Sequence, residues 1–439
     1  IQREKVNKCF AIGPAIMMKF VCLLTEKYHI STDVSLNTIM VDGTGMCGAC
    51  RVSVGGEMKF VCVDGPEFDG HQVNFDEMLK RMKAFSNQEK ADMARFEAER
   101  EEREHHDETR QAPWREELRK SMKPKERMAI ERAKMNELDP TYRSHKLREE
   151  VNQGLTLTQA LTEAKRCLDC ANPECVTGCP VNINIPRFVK NIERGNIQEA
   201  ARTLKEYSAL PAVCGRVCPQ EKQCESKCIH LKMKSQPVAI GYLERFAADW
   251  ERTNDTSSLP TVKDKNGMRV AVVGSGPAGL SFAGDMIKNG YEVTVFEALH
   301  EIGGVLKYGI PEYRLPNKIV DAEINNLEQM GVKFEKDCII GKTLTVDDLK
   351  AAGYAGIFIG SGAGLPNFMN IQGENLINVL SSNEYLTRVN LMDASSNNSD
   401  TPVPFGKHVA VIGGGNTAMD AVRTALRLGA EKAMIVYRR

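Results

Sequence analysis

Eleven of the fourteen cysteines in this 439-residue chain fall into three tightly spaced groups, and no other feature limits its possible folds as strongly. The remaining three, Cys9, Cys22 and Cys338, stand alone among apolar neighbours and read as small buried hydrophobes. A disulfide framework belongs to small secreted domains. This chain is long, and no basic segment, apolar core and small-residue cleavage site occur in order. The grouped thiols therefore point to metal or to inorganic clusters. Lys+Arg and Asp+Glu total 58 each, so the molecule lacks the basic field that would gather nucleic acid or acidic lipid. The one long apolar run, Cys9 to Leu24, is interrupted by Gly13-Pro14 and Lys19 and is too short to span a bilayer. A cytoplasmic protein is expected, with neither nucleic acid nor membrane as partner.

The first group is Asp42-x4-Cys47-x2-Cys50-x11-Cys62, in a glycine-rich stretch. Plant-type 2Fe–2S sites use Cys-x4-Cys-x2-Cys and a distant fourth cysteine. Here Asp42 stands where the first cysteine would be. Glycines between ligands let a loop wrap an inorganic core and aim N–H groups at its sulfides. A zinc knuckle, which would prefer a second Cys pair or a His pair, and an ordinary reduced pair are the competing readings. The second and third groups are Cys167-x2-Cys170-x4-Cys175-x3-Cys179-Pro180 and Cys214-x3-Cys218-Pro219-x4-Cys224-x3-Cys228. In bacterial ferredoxins, runs with a terminal Cys-Pro share ligands between two clusters. The amphipathic stretch Ile185 to Leu210 reads as helices that fold the two runs together, giving two 4Fe–4S clusters in one helical domain. Eight thiolates suffice for two clusters, although a non-Cys ligand can replace one.

From Met268 the pattern changes to alternating strands and helices. Val270 to Val273 is a buried strand. The loop Gly274-Ser275-Gly276-Pro277-Ala278-Gly279 follows it, then a helix, a strand from Glu292 to Phe296, and Glu297. A glycine loop in that setting, with an acid some 20 residues on, is the full dinucleotide fingerprint. Pyrophosphate would sit on the helix N-terminus and Glu297 would accept from ribose hydroxyls. A second unit runs from the strand His408–Ile412 through Gly413-Gly414-Gly415-Asn416-Thr417-Ala418 to Lys432–Tyr437, and it ends in Arg438-Arg439. A carboxylate at that end would repel a 2′-phosphate, whereas two guanidiniums offer fork-like contacts to it. The first site thus suits FAD or NAD and the second NADP(H); a solvated strand end is the plainer reading of the arginines. Ile357 to Ala363, an apolar strand ending in small residues, fits the handover between two nested dinucleotide folds.

The charge-dominated run Glu89 to Arg110, with His105-His106, reads as a solvated helix or connector. Helical patterning resumes from Pro113 to Asn136 and breaks at Asp139-Pro140. Residues 8–30 read as a strand, a turn and a helix with no partner. The start at Ile1 and the strand-like run before Arg439 suggest an internal piece of something longer.

From about Asn136 onward the chain resembles the small (beta) subunit of NADPH-dependent glutamate synthase. It also resembles dihydropyrimidine dehydrogenase and the large subunit of the NADH-dependent reduced ferredoxin:NADP oxidoreductase. Arg166-Cys167-Leu168-Asp169-Cys170, Gly178-Cys179-Pro180, Cys214-Gly215-Arg216-Val217-Cys218-Pro219, Ile240-Gly241-Tyr242-Leu243-Glu244-Arg245 and the segment Gly303 to Pro316 carry that resemblance. Residues 1–80 resemble the C-terminal end of the dihydroorotate dehydrogenase electron-transfer subunit, and more closely the small subunit of the same ferredoxin:NADP oxidoreductase, so the chain looks like a fusion. The resemblance implies 2Fe–2S ligands at Asp42, Cys47, Cys50 and Cys62, and one 4Fe–4S cluster on Cys167, Cys170, Cys175 and Cys228. It implies a second cluster on Cys179, Cys218 and Cys224 with Glu244; counting thiolates alone points to Cys214 instead, and both remain open. Gly304 and Arg314 would lie against FAD.

The expected architecture is multidomain α/β with small cluster domains. It comprises a remnant of an NAD-binding lobe (1–30), a 2Fe–2S domain (31–80), a charged helical linker (81–135) and an α-helical double 4Fe–4S domain (136–255). A nested Rossmann-type flavoprotein fold follows, with an incomplete FAD-binding domain (268–395) and the start of an NADP-binding domain (400–439). The expected function is electron transfer between NADPH, FAD and iron–sulfur clusters, with ferredoxin and/or NAD(H) as partners by the resemblance. The alternatives are an NADPH-oxidising subunit feeding a glutamate synthase large subunit, and a non-catalytic iron–sulfur carrier. The cofactors would carry the chemistry, so no catalytic side chain is expected.

Overall fold

Pro14 has a fixed φ and no N–H to leave unpaired, so the Gly13-Pro14 pair ends one extended run and begins a helix. The flanking elements are β1 (Lys8–Ile12) and α1 (Ala15–Glu26). In the computed structural model, residues 6–39, 49–83, 90, 91, 93, 107–254, 259–396 and 398–438 are described. The chain divides into two units, Ile1–His106 and Asp107–Arg439.

In the first unit, β1 gains the partner its sequence does not reveal. The strand β2 (Ser31–Ser35) pairs with it in parallel, Lys8 opposite Ser31 through Ile12 opposite Ser35. A hairpin of β3 (Arg51–Val54) and β4 (Glu57–Phe60) follows, and then β5 (Glu67–Asp69) adds antiparallel to β2. Met18 and Cys22 of α1 pack with Val34, Val52, Val61 and, from α2 (Phe75–Lys83), Phe75 and Met78.

The second unit begins with α3 (Pro113–Ser121) and α4 (Pro124–Ala129). The helix expected from Pro113 to Asn136 is broken because Pro124 cannot donate an N–H mid-helix and disfavours helical backbone at Lys123. Nor is this stretch wholly a solvated linker: Arg115 and Arg127 are 1% and 2% exposed. A helical layer then forms from α5 (Leu157–Lys165), α6 (Ile185–Glu193), α7 (Ile197–Tyr207), α8 (Pro211–Val217) and α9 (Ile240–Thr253). Asn184 and Asn196 cap α6 and α7 by accepting from Arg187 N and Glu199 N, so the expected amphipathic stretch becomes a helical hairpin. Phe188, Val189, Ile192, Leu204 and Leu243 form its core.

Beyond this layer, four parallel strands form one sheet: β6 (Arg269–Val273), β7 (Glu292–Phe296), β8 (Lys333–Glu335) and β9 (Tyr354–Ile359), in the spatial order β8-β7-β6-β9. That 3-2-1-4 order is the one found in dinucleotide-binding halves. Between them, α10 (Pro277–Lys288) and α11 (Asn317–Met330) pack on one face. The last elements are β10 (His408–Ile412), α12 (Asn416–Arg427) and β11 (Lys432–Val436), a parallel pair with its crossover helix. No helix among the described residues is long and apolar enough to cross a membrane.

Candidate functional site: cysteine-lined cavities and two glycine loops

Cys167, Cys170, Cys175 and Cys228 line a single cavity of about 80 Å³, walled by Ile185, Val189 and Ile240. Burial pushes the Cys167 thiol up to about 11, against the pull of the Lys190 ammonium, and holds Cys175 well above the usual thiol range. Four thiols around a largely apolar hollow, Cys228 buried and the other three partly so, match the donor set of a 4Fe–4S core, whose iron charge would favour their thiolates. Among the described residues no three His, Cys, Asp or Glu side chains converge as a single ion requires.

The other sulfurs gather one helix away. Cys179 and Cys224 both feel the charge of Glu244, as does Cys214, and Cys218 lies against Cys214. Their meeting depends on the contact between α8 and α9. A Cβ on Gly215 would lie 2.6 Å from the Arg245 backbone nitrogen, so only glycine lets the two helices approach this closely. Glu244 is buried, and its Oε1 has no partner. Burial first, then the nearby Cys218, raises its carboxyl well above the usual range. A buried carboxylate oxygen left unpartnered is costly, and Glu244, beside the thiols of Cys179, Cys214, Cys218 and Cys224, is a fitting donor. Cys214 lies 3.9 Å from Ser208 Oγ, and its carbonyl accepts from Gln220 Nε2 at 3.0 Å.

In the first unit Cys50 and Cys62 bring their sulfurs within 3.1 Å of each other, with Cys50 buried. Asp42 and Cys47 lie outside the described residues.

The loop after β6 meets a second glycine segment. A Cβ on Gly304, whose φ is +54°, would lie 2.7 Å from the Gly276 Cα, so the Gly303-Gly304 turn lies against the loop. Glu297 follows β7 and turns back to that loop. Its Oε2 accepts from Ser275 N at 2.8 Å and Ser275 Oγ at 2.5 Å, and Oε1 accepts from Leu299 N at 2.9 Å. Ser275 Oγ in turn accepts from Gly303 N at 2.9 Å. Pro277, Ala278 and Gly279 form the first turn of α10. Arg314, expected beside a flavin, donates to Asp420 Oδ2 on α12 at 2.5 Å.

In the second glycine unit, Gly415 precedes α12; Asn416 and Thr417 open it toward solvent while Ala418 is buried. Gly413 follows β10, and Arg438 is exposed just past β11. Arg439 lies outside the described residues.

Several side chains went unnoticed in the sequence. Ser275 fastens Glu297 to both glycine segments, Tyr313 is buried against α12, and Arg115 grips Asp169 between two cysteines. Arg115 and Arg119 share one helical face at i,i+4, which was the available signal.

Comparison with known proteins matches three segments of the chain. Residues 37–74 match the iron–sulfur cluster binding domain of dihydroorotate dehydrogenase B. Residues 143–256 match the dihydropyrimidine dehydrogenase domain II, a 4Fe-4S cluster family, and residues 268–439 match pyridine nucleotide-disulphide oxidoreductase. The chain is 34% identical over 315 residues to the glutamate synthase [NADPH] small chain of Escherichia coli K12, covering 70% of this chain and 66% of the relative. It is 36% identical over 294 residues to the NAD-dependent dihydropyrimidine dehydrogenase subunit PreT of Escherichia coli O157:H7, covering 66% of this chain and 68% of that one. The chain thus spans about two thirds of the length of these curated relatives. A solved structure of the NADH-dependent reduced ferredoxin-NADP oxidoreductase is 55% identical over 22% of this chain and 34% of its own, with a TM-score of 0.21. A pyridine nucleotide domain joined to a 4Fe-4S domain, at this identity and coverage, means that the chain belongs to the family of iron–sulfur, NAD(P)-dependent oxidoreductases represented by PreT and the glutamate synthase small chain.

Proposed function

We propose that the chain is the electron-transferring part of an NADPH-dependent iron–sulfur flavoprotein. FAD is held by the loop Gly274, Gly276, Pro277, Ala278 and Gly279 with Glu297 and Gly304. NADPH is received at Gly413, Gly415, Asn416, Thr417 and Ala418, with its 2′-phosphate on Arg438 and Arg439. Bound flavin supplies the exchange between hydride pairs and single electrons, and the iron–sulfur clusters accept electrons one at a time. The chain supplies placement: Ser275 and Glu297 fix the first loop, and the close contact of α8 with α9 brings Cys218 to Glu244. Cys167, Cys170, Cys175 and Cys228 would hold one 4Fe–4S cluster, the Glu244 set the other, and Asp42, Cys47, Cys50 and Cys62 a 2Fe–2S centre. Arg314, in contact with Asp420, sets one nucleotide unit against the other in a nested arrangement. Ferredoxin or NAD(H) would exchange electrons with this assembly.

One observation carries the proposal: a cysteine-lined cavity and two strand–glycine loop–helix units, one ending in an acid and the other in a base, occur in the same unit of the chain. The test is anaerobic purification of the full-length protein with iron, sulfide and flavin analysis. NADPH bleaching a flavin band and eliciting two 4Fe–4S EPR signals is expected. Zinc in place of iron, or colourless protein, would refute the proposal. The relationship to the glutamate synthase small chain favours a second reading, electron donation to an amidotransferase; glutamate formation from glutamine, 2-oxoglutarate and NADPH would support it.

A further inference from the structure

Asp169 occupies an unusual position between Cys167 and Cys170. Its φ is +51°, which a short polar side chain tolerates better than most. Its side chain is closed to solvent. Two guanidiniums reach it. Arg115 Nε lies 3.1 and 3.0 Å from the two carboxylate oxygens, Arg115 Nη2 donates to Oδ1 at 2.6 Å, and Arg119 Nη1 donates to Oδ2 at 2.7 Å. The far side of Arg115 is held by Asp107 Oδ2 at 2.5 Å and Thr109 Oγ1 at 3.1 Å. The Asp169 backbone N–H donates to the Cys167 thiol. All the gripping residues come from 107–119, a stretch between the two family matches at 37–74 and 143–256 and part of neither.

We propose that Arg115 and Arg119 are positioning residues for the first cluster site, clamping the Cys167–Cys170 loop through Asp169 and raising the reduction potential of the cluster bound there. The inference rests on the assignment of a 4Fe–4S cluster to Cys167, Cys170, Cys175 and Cys228. Reduction adds one negative charge beside the buried Asp169–Arg115 pair, where screening is weak. A buried guanidinium favours that added charge and a buried carboxylate opposes it. Around this loop, Lys190 Nζ donates to the Cys167 carbonyl at 2.6 Å and to Glu193 at 2.5 Å, while Arg127 also pairs with Glu193 and Arg166 with Glu163, a fixed background that the clamp variants leave in place. Arg110 faces Cys170 from the same connecting stretch. The clamp sets Arg115 and Arg119 on Asp169, with Asp107 on the far side of Arg115, so removing one charge of either sign changes the local field.

The experiment is an EPR-monitored redox titration of the full-length holoprotein, comparing wild type with Arg115→Gln, Arg115→Lys and Asp169→Asn. Arg115→Gln should lower the potential of one 4Fe–4S cluster and Asp169→Asn should raise that of the same cluster. Each change should alter the reduced-to-oxidised ratio at fixed potential about tenfold, which is 59 mV for a one-electron couple. The other cluster should not move, and Arg115→Lys should restore most of the loss. Shifts in the same direction with falling iron content would mean that the clamp only supports folding, and unchanged potentials in both variants would overturn the proposal outright. Should Arg115→Gln fail to fold, Arg119→Gln, at the solvent edge, must give the same lowering. A wild-type protein without any 4Fe–4S signal would remove the cluster assignment itself, an outcome distinct from intact clusters that ignore these charges.

Discussion

The guanidinium of Arg427 lies 3.9 Å from the centroid of the Tyr313 ring, and that ring's hydroxyl donates to the Asp420 carbonyl at 3.0 Å. Both partners are on α12, so the segment ahead of α11 holds the second nucleotide unit by a stacked cation, a hydroxyl and the Arg314–Asp420 pair together. Tyr313→Phe should lose about 1 kcal/mol of stability, the usual worth of one hydrogen bond. Tyr313→Ala, at a side chain only 2% exposed, should lose about 3–5 kcal/mol. Denaturant unfolding measures both, and hydrogen exchange should rise first in α12. Equal, small effects would mean that the ring is not a structural anchor.

Gly215→Ala forces a methyl group into the Arg245 backbone. Overpacking of this kind is worth about 1–3 kcal/mol, and the strain falls where α8 and α9 bring Cys218 and Glu244 together. The expected result is loss of one 4Fe–4S EPR signal with retention of the other, and a fall of about half in the iron of the two 4Fe–4S sites. Full iron content would show that the helix contact does not set the second site.

Burial pushes the Glu323 carboxyl up to about 7 from an ordinary 4.5, although Ala212 N donates to it at 2.7 Å and Lys205 attracts it. The folded chain therefore keeps a proton that the unfolded chain releases. Stability should fall as pH rises from about 4.5 to about 7 and level off above that. Glu323→Gln should remove this slope, a difference on the order of 3 kcal/mol at pH 8. Melting temperatures of wild type and variant across that range check it, and parallel curves would contradict it.

Arg438→Glu together with Arg439→Glu should weaken NADPH binding at least tenfold, about 1.4 kcal/mol, while leaving NADH nearly unaffected. Titration calorimetry with each nucleotide separates the two outcomes. Equal weakening would mean that neither arginine recognises the phosphate.

The strands β6, β7 and β10 are where the apolar runs predict them, because a buried parallel strand followed by a glycine loop leaves few alternatives. The four thiols around one cavity follow from the family resemblance rather than from spacing, since spacing alone does not say which run shares which ligand. Arg115 and Arg127 were illegible for a different reason. Mixed charge at helical intervals has the same pattern whether water or a buried carboxylate lies opposite, and only the partners Asp169 and Glu193, 54 and 66 residues away, distinguish them. The Arg314–Asp420 pair was illegible too, because a motif shows that a residue is constrained without showing by what. Pro124 was the plainest oversight, a helix breaker inside a run read as continuous.

Anyone dividing this polypeptide for separate expression should note where Arg115 is anchored. A cut at residue 135, where the composition suggests a seam, would strip the C-terminal fragment of the arginines that neutralise Asp169 and leave that carboxylate stranded in the protein interior. A cut at 106 keeps them, so the workable boundary lies some thirty residues earlier than the charge pattern implies.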